Sequence, residues 1–199
     1  MARKAARVKV LVGLLGESPN DTASVQALLR QRYDDQVQFV VLSPEVTGDN
    51  LEDPKSQVAI RINYRLTKPD LVIITRDLDA PETNRVKQLK RKEFFKRLTR
   101  GLEGKGIFLL NIQAMEALIA AHIAVFNARY GCVCEVPADP MTIDDPVTFL
   151  KKATPAGRPR YDEGHCASLL AAVDYDTVVA NCRYFAAFDK EFSQRILTL

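Results

Sequence analysis

Apolar positions along the chain follow two alternating rhythms. Short apolar runs, Val8 to Leu15, Gln38 to Leu42, Leu71 to Ile74 and Ile107 to Leu110, read as strands, and the first, nearly all aliphatic and β-branched, has the look of one covered on both faces. Helical spacing fills the gaps between them. Val25, Leu28 and Leu29 follow the N-cap candidates Asn20 and Asp21, and Val58, Ile62 and Leu66 stop short of Pro69, before which helical geometry is disfavoured. Val86, Leu89, Phe94, Phe95, Leu98 and Leu102 form a third stripe, opened by Pro81 and Thr83 and closed by Gly104 and Gly106, and expected to face the core. Gln113 to Tyr130 predicts one long amphipathic helix, and residues 43–55, rich in turn formers, a surface loop. Strands alternating with helices at this spacing predict right-handed βαβ units and an α/β fold, a mostly parallel four-stranded sheet flanked by helices.

Beyond Gly131 the aliphatic runs cease. Asp145 with Pro146 marks a helix start, and the basic loop 151–165 separates that helix from helical segments around residues 166–172 and 175–197. The pattern predicts an α/β domain over 1–135 and a helical C-terminal extension over 136–199 packed on it. A chain of 199 residues is long enough for one sizeable core. Its basic opening and short apolar run resemble a signal peptide, but Lys9 interrupts the run and GESPND follows it, so a strand is expected. No stretch reaches the ~20 apolar residues of a membrane span. A cytoplasmic location is expected, where the four cysteines stay reduced. Cys132, Cys134, His165 and Cys166 lack the pair spacing of structural zinc sites, and packed thiols are the expectation.

Charge is concentrated rather than spread. The segment from Arg85 to Lys105 holds nine basic residues against two acidic ones, whereas the whole chain carries only +3, so the remainder is net acidic. On one helix such a run is either a solvated face or a phosphate-binding surface. Arg85, Lys87, Lys90 and Arg91 are the candidate nucleic-acid contacts there, with Lys152 and Arg160, alongside Lys151 and Arg158, as a second wall.

Three acidic residues follow apolar runs: Glu17 after the first, and Asp77 with Asp79 after the third. If these strands are parallel neighbours, the carboxylates meet at one sheet edge, where a hard divalent cation such as Mg²⁺ or Mn²⁺ takes oxygen ligands. Residues two apart in an extended segment project to the same side, so Asp77 and Asp79 are expected to reach one ion. Glu17 is expected to bind the metal or to carry a proton. The competing reading is a polar turn that caps the next helix, with Glu17 favoured at a helix N-terminus.

The segments GESPNDTASVQALL, PDLVIITRDLDA, NIQAMEALIAAH and DDPVTFLKKATPAGRPRYDEGH, in this order, resemble the small Toprim-like bacterial proteins of the DUF4276 family. The Toprim pattern, a glutamate after the first strand and Asp-x-Asp after a later one, is matched by Glu17 and by Asp77 with Asp79. Ser18 stands where the family usually has glycine. Glu116 matches a glutamate in a later apolar helix, and Asp145-Pro146 followed by Arg160-Tyr161 resembles the C-terminal signature. The resemblance implies a Toprim-like fold and a metal-dependent nuclease acting on DNA or RNA. In it Glu17, Asp77 and Asp79 hold Mg²⁺ or Mn²⁺, and Glu116 is a further catalytic residue. It also implies a place beside a partner ATPase as the effector of a bacterial anti-phage system.

The alternative is a non-catalytic subunit that binds nucleic acid or the ATPase. A receiver-like phosphoacceptor would need a lysine after a late strand, and none suitable follows Leu110. A covalent topoisomerase-like role for Tyr161 would need a larger chain. His122, on an apolar helix, is expected to be a satisfied core histidine, and His165 is a candidate phosphate contact.

Overall fold

The computed structural model describes residues 9–43, 51–157 and 159–199. Val8, the loop residues 44–50 and Arg158 therefore lie outside the described residues. Four strands, β1 (Val10–Leu15), β2 (Val37–Val41), β3 (Leu71–Asp77) and β4 (Gly106–Asn111), form one sheet in the order β2-β1-β3-β4. Every pairing is parallel, with Leu15 opposite Ile74 and Asp77 opposite Asn111. The fold is the expected α/β architecture, with a C-terminal helical stretch, and is consistent with a Toprim-like fold.

Helix α1 (Pro19–Tyr33) covers one face, whereas α2 (Pro54–Thr67) and α3 (Arg85–Arg100) contribute to the core on the other. Alternating strand residues divide accordingly. Val12, Leu14, Ile73 and Leu109 join the first core, and Leu15, Val72 and Ile74 the second. Helices α4 (Ala117–Ala120), α5 (Ile123–Tyr130), α6 (Pro146–Ala153), α7 (Cys166–Leu170), α8 (Tyr175–Asn181) and α9 (Arg183–Leu197) follow β4. Leu150, Leu169, Phe185 and Phe192 from the last of these share the first core with the sheet. A polar knot ties them to α1: the hydroxyls of Tyr33 and Tyr175 both donate to buried Asp189, at 2.5 Å each, and Arg32 donates to its other oxygen at 3.1 Å. Burial, with the Asp189 carboxylate beside it, pushes the Tyr33 pKa up to about 12.

Several local expectations are corrected. The α1 N-cap is Ser18, not Asn20 or Asp21: its hydroxyl accepts from the Asp21 N–H, and the Asp21 carboxylate accepts from the Ser18 N–H. Such a capping box is worth about 0.5–2 kcal/mol. The predicted helix over 113–130 is broken at His122 (φ −134°, ψ 63°). There the Asp174 N–H donates to the imidazole at 2.8 Å and the Asn181 amide donates to the Ala121 carbonyl at 2.9 Å, so contacts with α8 and the turn before it replace helix continuation. His122 is thus satisfied, but half-buried rather than in the core.

Val58, Ile62 and Leu66 point outward, between 52% and 76% exposed, and Ile60 and Tyr64 are the buried residues of α2. Polar anchors select that face. Asn63 donates to the Leu42 carbonyl at 2.8 Å, and the Tyr64 hydroxyl donates to Glu103 at 3.0 Å. On α3, Phe94 and Leu98 are buried as expected, whereas Val86 and Leu89 are exposed. Buried Gln88, donating to the Glu82 carbonyl at 2.6 Å, takes the inward position near that end. Ile60→Ala is expected to cost about 2–5 kcal/mol, and Ile62→Ala no more than about 0.5 kcal/mol. Urea unfolding of the two variants measures this, and equal losses would contradict the assignment of the α2 face.

Candidate active site at the carboxyl ends of the inner strands

The strand order makes β1 and β3 inner neighbours. The chain leaves β1 through α1 toward β2 and leaves β3 through α3 toward β4, so the two connections diverge. A crevice at the carboxyl ends of such strands is where open α/β sheets bind ligands. Glu17 stands two residues beyond β1, Asp77 ends β3, and Asp79 follows two residues later. The structure thus brings the expected carboxylates to one edge. Gly16 permits this approach, because a Cβ there would lie 2.9 Å from the Asp21 Cβ and 3.2 Å from the Thr75 Cγ2. Ser18, where the Toprim pattern has glycine, is occupied in capping α1.

The carboxylates do not share one side. Alternation along β3 sends Arg76 to the α2/α3 face and Asp77 to the opposite one. Arg76 is 2% exposed; it pairs with Glu17, contacts Glu52 at 2.8 Å and lies 4.8 Å from the Phe94 ring centre. Asp77 instead accepts from the Asn111 amide at 2.9 Å, in the strand register that pairs them. Asp79 departs from extended geometry with φ 52°, which turns it away from Asp77 into a 2.9 Å ion pair with Arg91. The expectation that Asp77 and Asp79 project together is therefore overturned. The turn is held by hydrogen bonds from the Asp79 N–H to the Gln113 carbonyl at 3.0 Å and from the Leu78 N–H to the Asn111 carbonyl at 2.8 Å. Gln113 is left-handed too, with φ 62°, a concentration of backbone strain typical of functional loops.

Helix α3 does border the site. Arg91 donates from Nε to the Asp77 carbonyl at 3.0 Å, and its Nη atoms lie 4.0 Å from Glu17 and from Glu52. Lys87, one turn earlier, donates to the Asp79 carbonyl at 2.6 Å. Arg85 and Lys90 are exposed on the same helix. The C-terminal segment reaches the start of α1, since the Asn20 amide donates to the Glu163 carbonyl at 2.8 Å and Lys151 pairs with Glu163 at 2.9 Å. Lys152 and Arg160 are exposed. Glu116 is 5% exposed and accepts from the Tyr161 hydroxyl at 2.9 Å. Tyr161 is itself buried, and the His165 ring is 2.8 Å from the Tyr130 hydroxyl.

Burial raises the pKa of Asp77 well above the usual aspartate range; the Asn111 hydrogen bond opposes this, and Asp21, Glu116 and Glu17 add to it. Burial also raises Glu17 against the pull of Arg76 and Arg91, and raises Glu116 against its hydrogen bonds. Carboxyl groups held above their ordinary range beside one another are a mark of functional sites. The donor set, all carboxylate oxygen, suits Mg²⁺ or Mn²⁺. Asp77 also fits a cation, because its carboxyl is desolvated and, among the described residues, no basic side chain pairs with it. Against this, no group of three or more His, Cys, Asp and Glu side chains among the described residues is gathered tightly enough to hold a metal ion. The cations placed at the cluster are guanidinium groups.

Sequence reasoning missed Arg76, Asn111 and Glu52. The signal for Arg76 was a lone charge at the end of an aliphatic run; Asn111, the polar residue that ends the β4 run, stands opposite Asp77. Set against protein-family models, curated proteins and solved structures, the chain matches none of them. No helix among the described residues is long and apolar enough to cross a membrane.

A pH dependence follows from Asp77. Its folded pKa exceeds the ordinary 3.8, so between that value and the raised one the folded chain holds a proton that the unfolded chain releases. Stability from this group therefore falls as pH rises through that window. Asp77→Asn removes the penalty, so this variant is expected to fold at least as stably as the native chain at neutral pH. The difference should shrink as pH falls toward about 4. Urea unfolding of both proteins across pH tests this, and a constant difference would exclude Asp77 as the source.

Proposed function

We propose that this protein is a metal-dependent phosphodiesterase acting on DNA or RNA, as its resemblance to the DUF4276 family and wider Toprim proteins implies. The arrival of Glu17, Asp77 and Asp79 at one switch-point edge of a parallel sheet, though from its two sides, with Asp77 desolvated and the basic α3 alongside, supports this function. Glu17, Asp77 and Asp79 would hold Mg²⁺ or Mn²⁺. When bound, the ion supplies charge stabilisation at a phosphoryl oxygen and eases ionisation of an attacking water. Glu17, whose raised pKa suits proton exchange nearer neutrality, is the candidate general base or acid. Glu116, held by Tyr161, adds negative charge behind Asp77. Lys87 and Arg91, with exposed Arg85 and Lys90, would contact backbone phosphates, and Lys152 and Arg160 would do so from the C-terminal side.

A non-catalytic subunit is the second reading. One observation favours it: Arg76 and Arg91 already neutralise Glu17 and Asp79. In that case the same surface would engage nucleic acid or a partner ATPase without turnover. For either reading, effector duty in a bacterial anti-phage system belongs to the family resemblance.

Purified protein incubated with single- and double-stranded DNA and RNA, with Mg²⁺, Mn²⁺ or EDTA, separates the two. Metal-dependent cleavage is expected, lowered at least about 100-fold in Glu17→Gln and Asp77→Asn. Folded variants that cut as well as the native chain would refute the enzymatic reading. Binding that persists in EDTA, with no cutting under any condition, would favour the second.

A further inference from the structure

We infer that Arg91 is an exchangeable counter-ion, which holds the carboxylates in the free protein and transfers to substrate phosphate as the metal enters. This rests on the proposed metal-dependent reading and concerns the regulation of that same site. The two guanidinium groups at the cluster differ in their fixity. Arg76 sits on an inner strand, 2% exposed, against the Phe94 ring, and cannot leave without opening the sheet edge. Arg91 projects from α3, and its side chain keeps 14% of its surface accessible. Its strongest carboxylate contact is Asp79 at 2.9 Å, a residue whose own side chain is 56% exposed. The contacts to Glu17 and Glu52, both at 4.0 Å, are long.

A divalent ion shared by Glu17 and Asp79 must occupy the space between their oxygens, where the Arg91 guanidinium now lies. Two cations cannot be accommodated there at once, so Arg91 competes with the metal for the same oxygens. Nucleic acid reverses the competition. Its phosphates offer a planar guanidinium an equally matched bidentate partner, on a helix that already presents Arg85, Lys87 and Lys90. Drawing Arg91 away frees Asp79 and leaves Glu17 with Arg76 as its remaining counter-ion, so metal and nucleic acid should each strengthen the binding of the other. Such an arrangement keeps the site from loading metal until substrate is present.

The test uses the full chain and reads binding, not activity. Mn²⁺ affinity is measured by the loss of the free-ion electron paramagnetic resonance signal, without nucleic acid, for native protein, Arg91→Gln and Arg91→Lys. Affinity for a fluorescent, nuclease-resistant phosphorothioate oligonucleotide is measured by anisotropy in the same proteins, with circular dichroism confirming the fold. Arg91→Gln is expected to bind Mn²⁺ about fivefold more tightly or better and the oligonucleotide more weakly, with Arg91→Lys between. A purely structural role for Arg91 would not move the two affinities in opposite directions. Native protein that binds Mn²⁺ while Arg91→Gln binds it no better overturns the exchange alone. Absence of Mn²⁺ binding in every protein overturns the exchange together with the metal-dependent reading beneath it.

Discussion

A guanidinium placed on an inner strand must be matched where it stands, because an uncompensated buried charge costs several kcal/mol. Arg76 meets that requirement with the Phe94 ring on its face and with Glu17 and Glu52 among its partners. Much else at this sheet edge depends on the pairing. It fixes the exit of β1 against the end of β3, draws Glu17 to the α2/α3 side and brings Glu52, just ahead of α2, into the same cluster. Arg91 then completes the neutralisation from α3, linking Asp79 to the group. Asp77, one residue after Arg76, is left on the opposite face with a neutral amide as its partner.

The fold was largely legible because each strand carries a short, mostly aliphatic run, continuous where the strand is inner and buried, and the structure places a strand at each of these runs, including the partly exposed edge strand β2. Helix faces were less legible. On α2, two apolar sets compete, Val58 with Ile62 and Leu66 against Ile60 with Tyr64. The choice lies with Asn63 and Tyr64, whose partners are 21 and 39 residues away in sequence. The same holds for the broken helix at His122, whose competing hydrogen bond comes from a residue 52 positions later. Long-range polar contacts carry no periodic signature, so no local pattern announces them.

At the site, Glu17, Asp77 and Asp79 were readable because position relative to a strand end is a local property. Arg76 was not, since its importance comes from burial, which a single charged letter at a strand end conceals. Arg91 was identified, but as a phosphate contact. Its carboxylate partners, Asp79 and Glu17, became visible only once the register had placed α3 beside the β1 exit.

Side-chain alternation is the deeper constraint on any chemistry here. A strand that ends Arg76-Asp77 must separate those two side chains to opposite faces, so Glu17, drawn to Arg76, approaches from the other side than the Asp77 carboxyl, although near enough for their charges to interact. Closing that gap requires the edge to be crossed beyond the last strand residue, where alternation no longer applies. Asp79 occupies that position, and its left-handed backbone, together with that of Gln113, is held by hydrogen bonds between the two loops rather than by the ladder. A left-handed aspartate costs of order 1 kcal/mol and persists only where its surroundings over-determine it. The loop carrying Asp79 is therefore the element whose rearrangement would bring both faces of the edge to one ligand, whereas β1 and β3 are fixed by their cores.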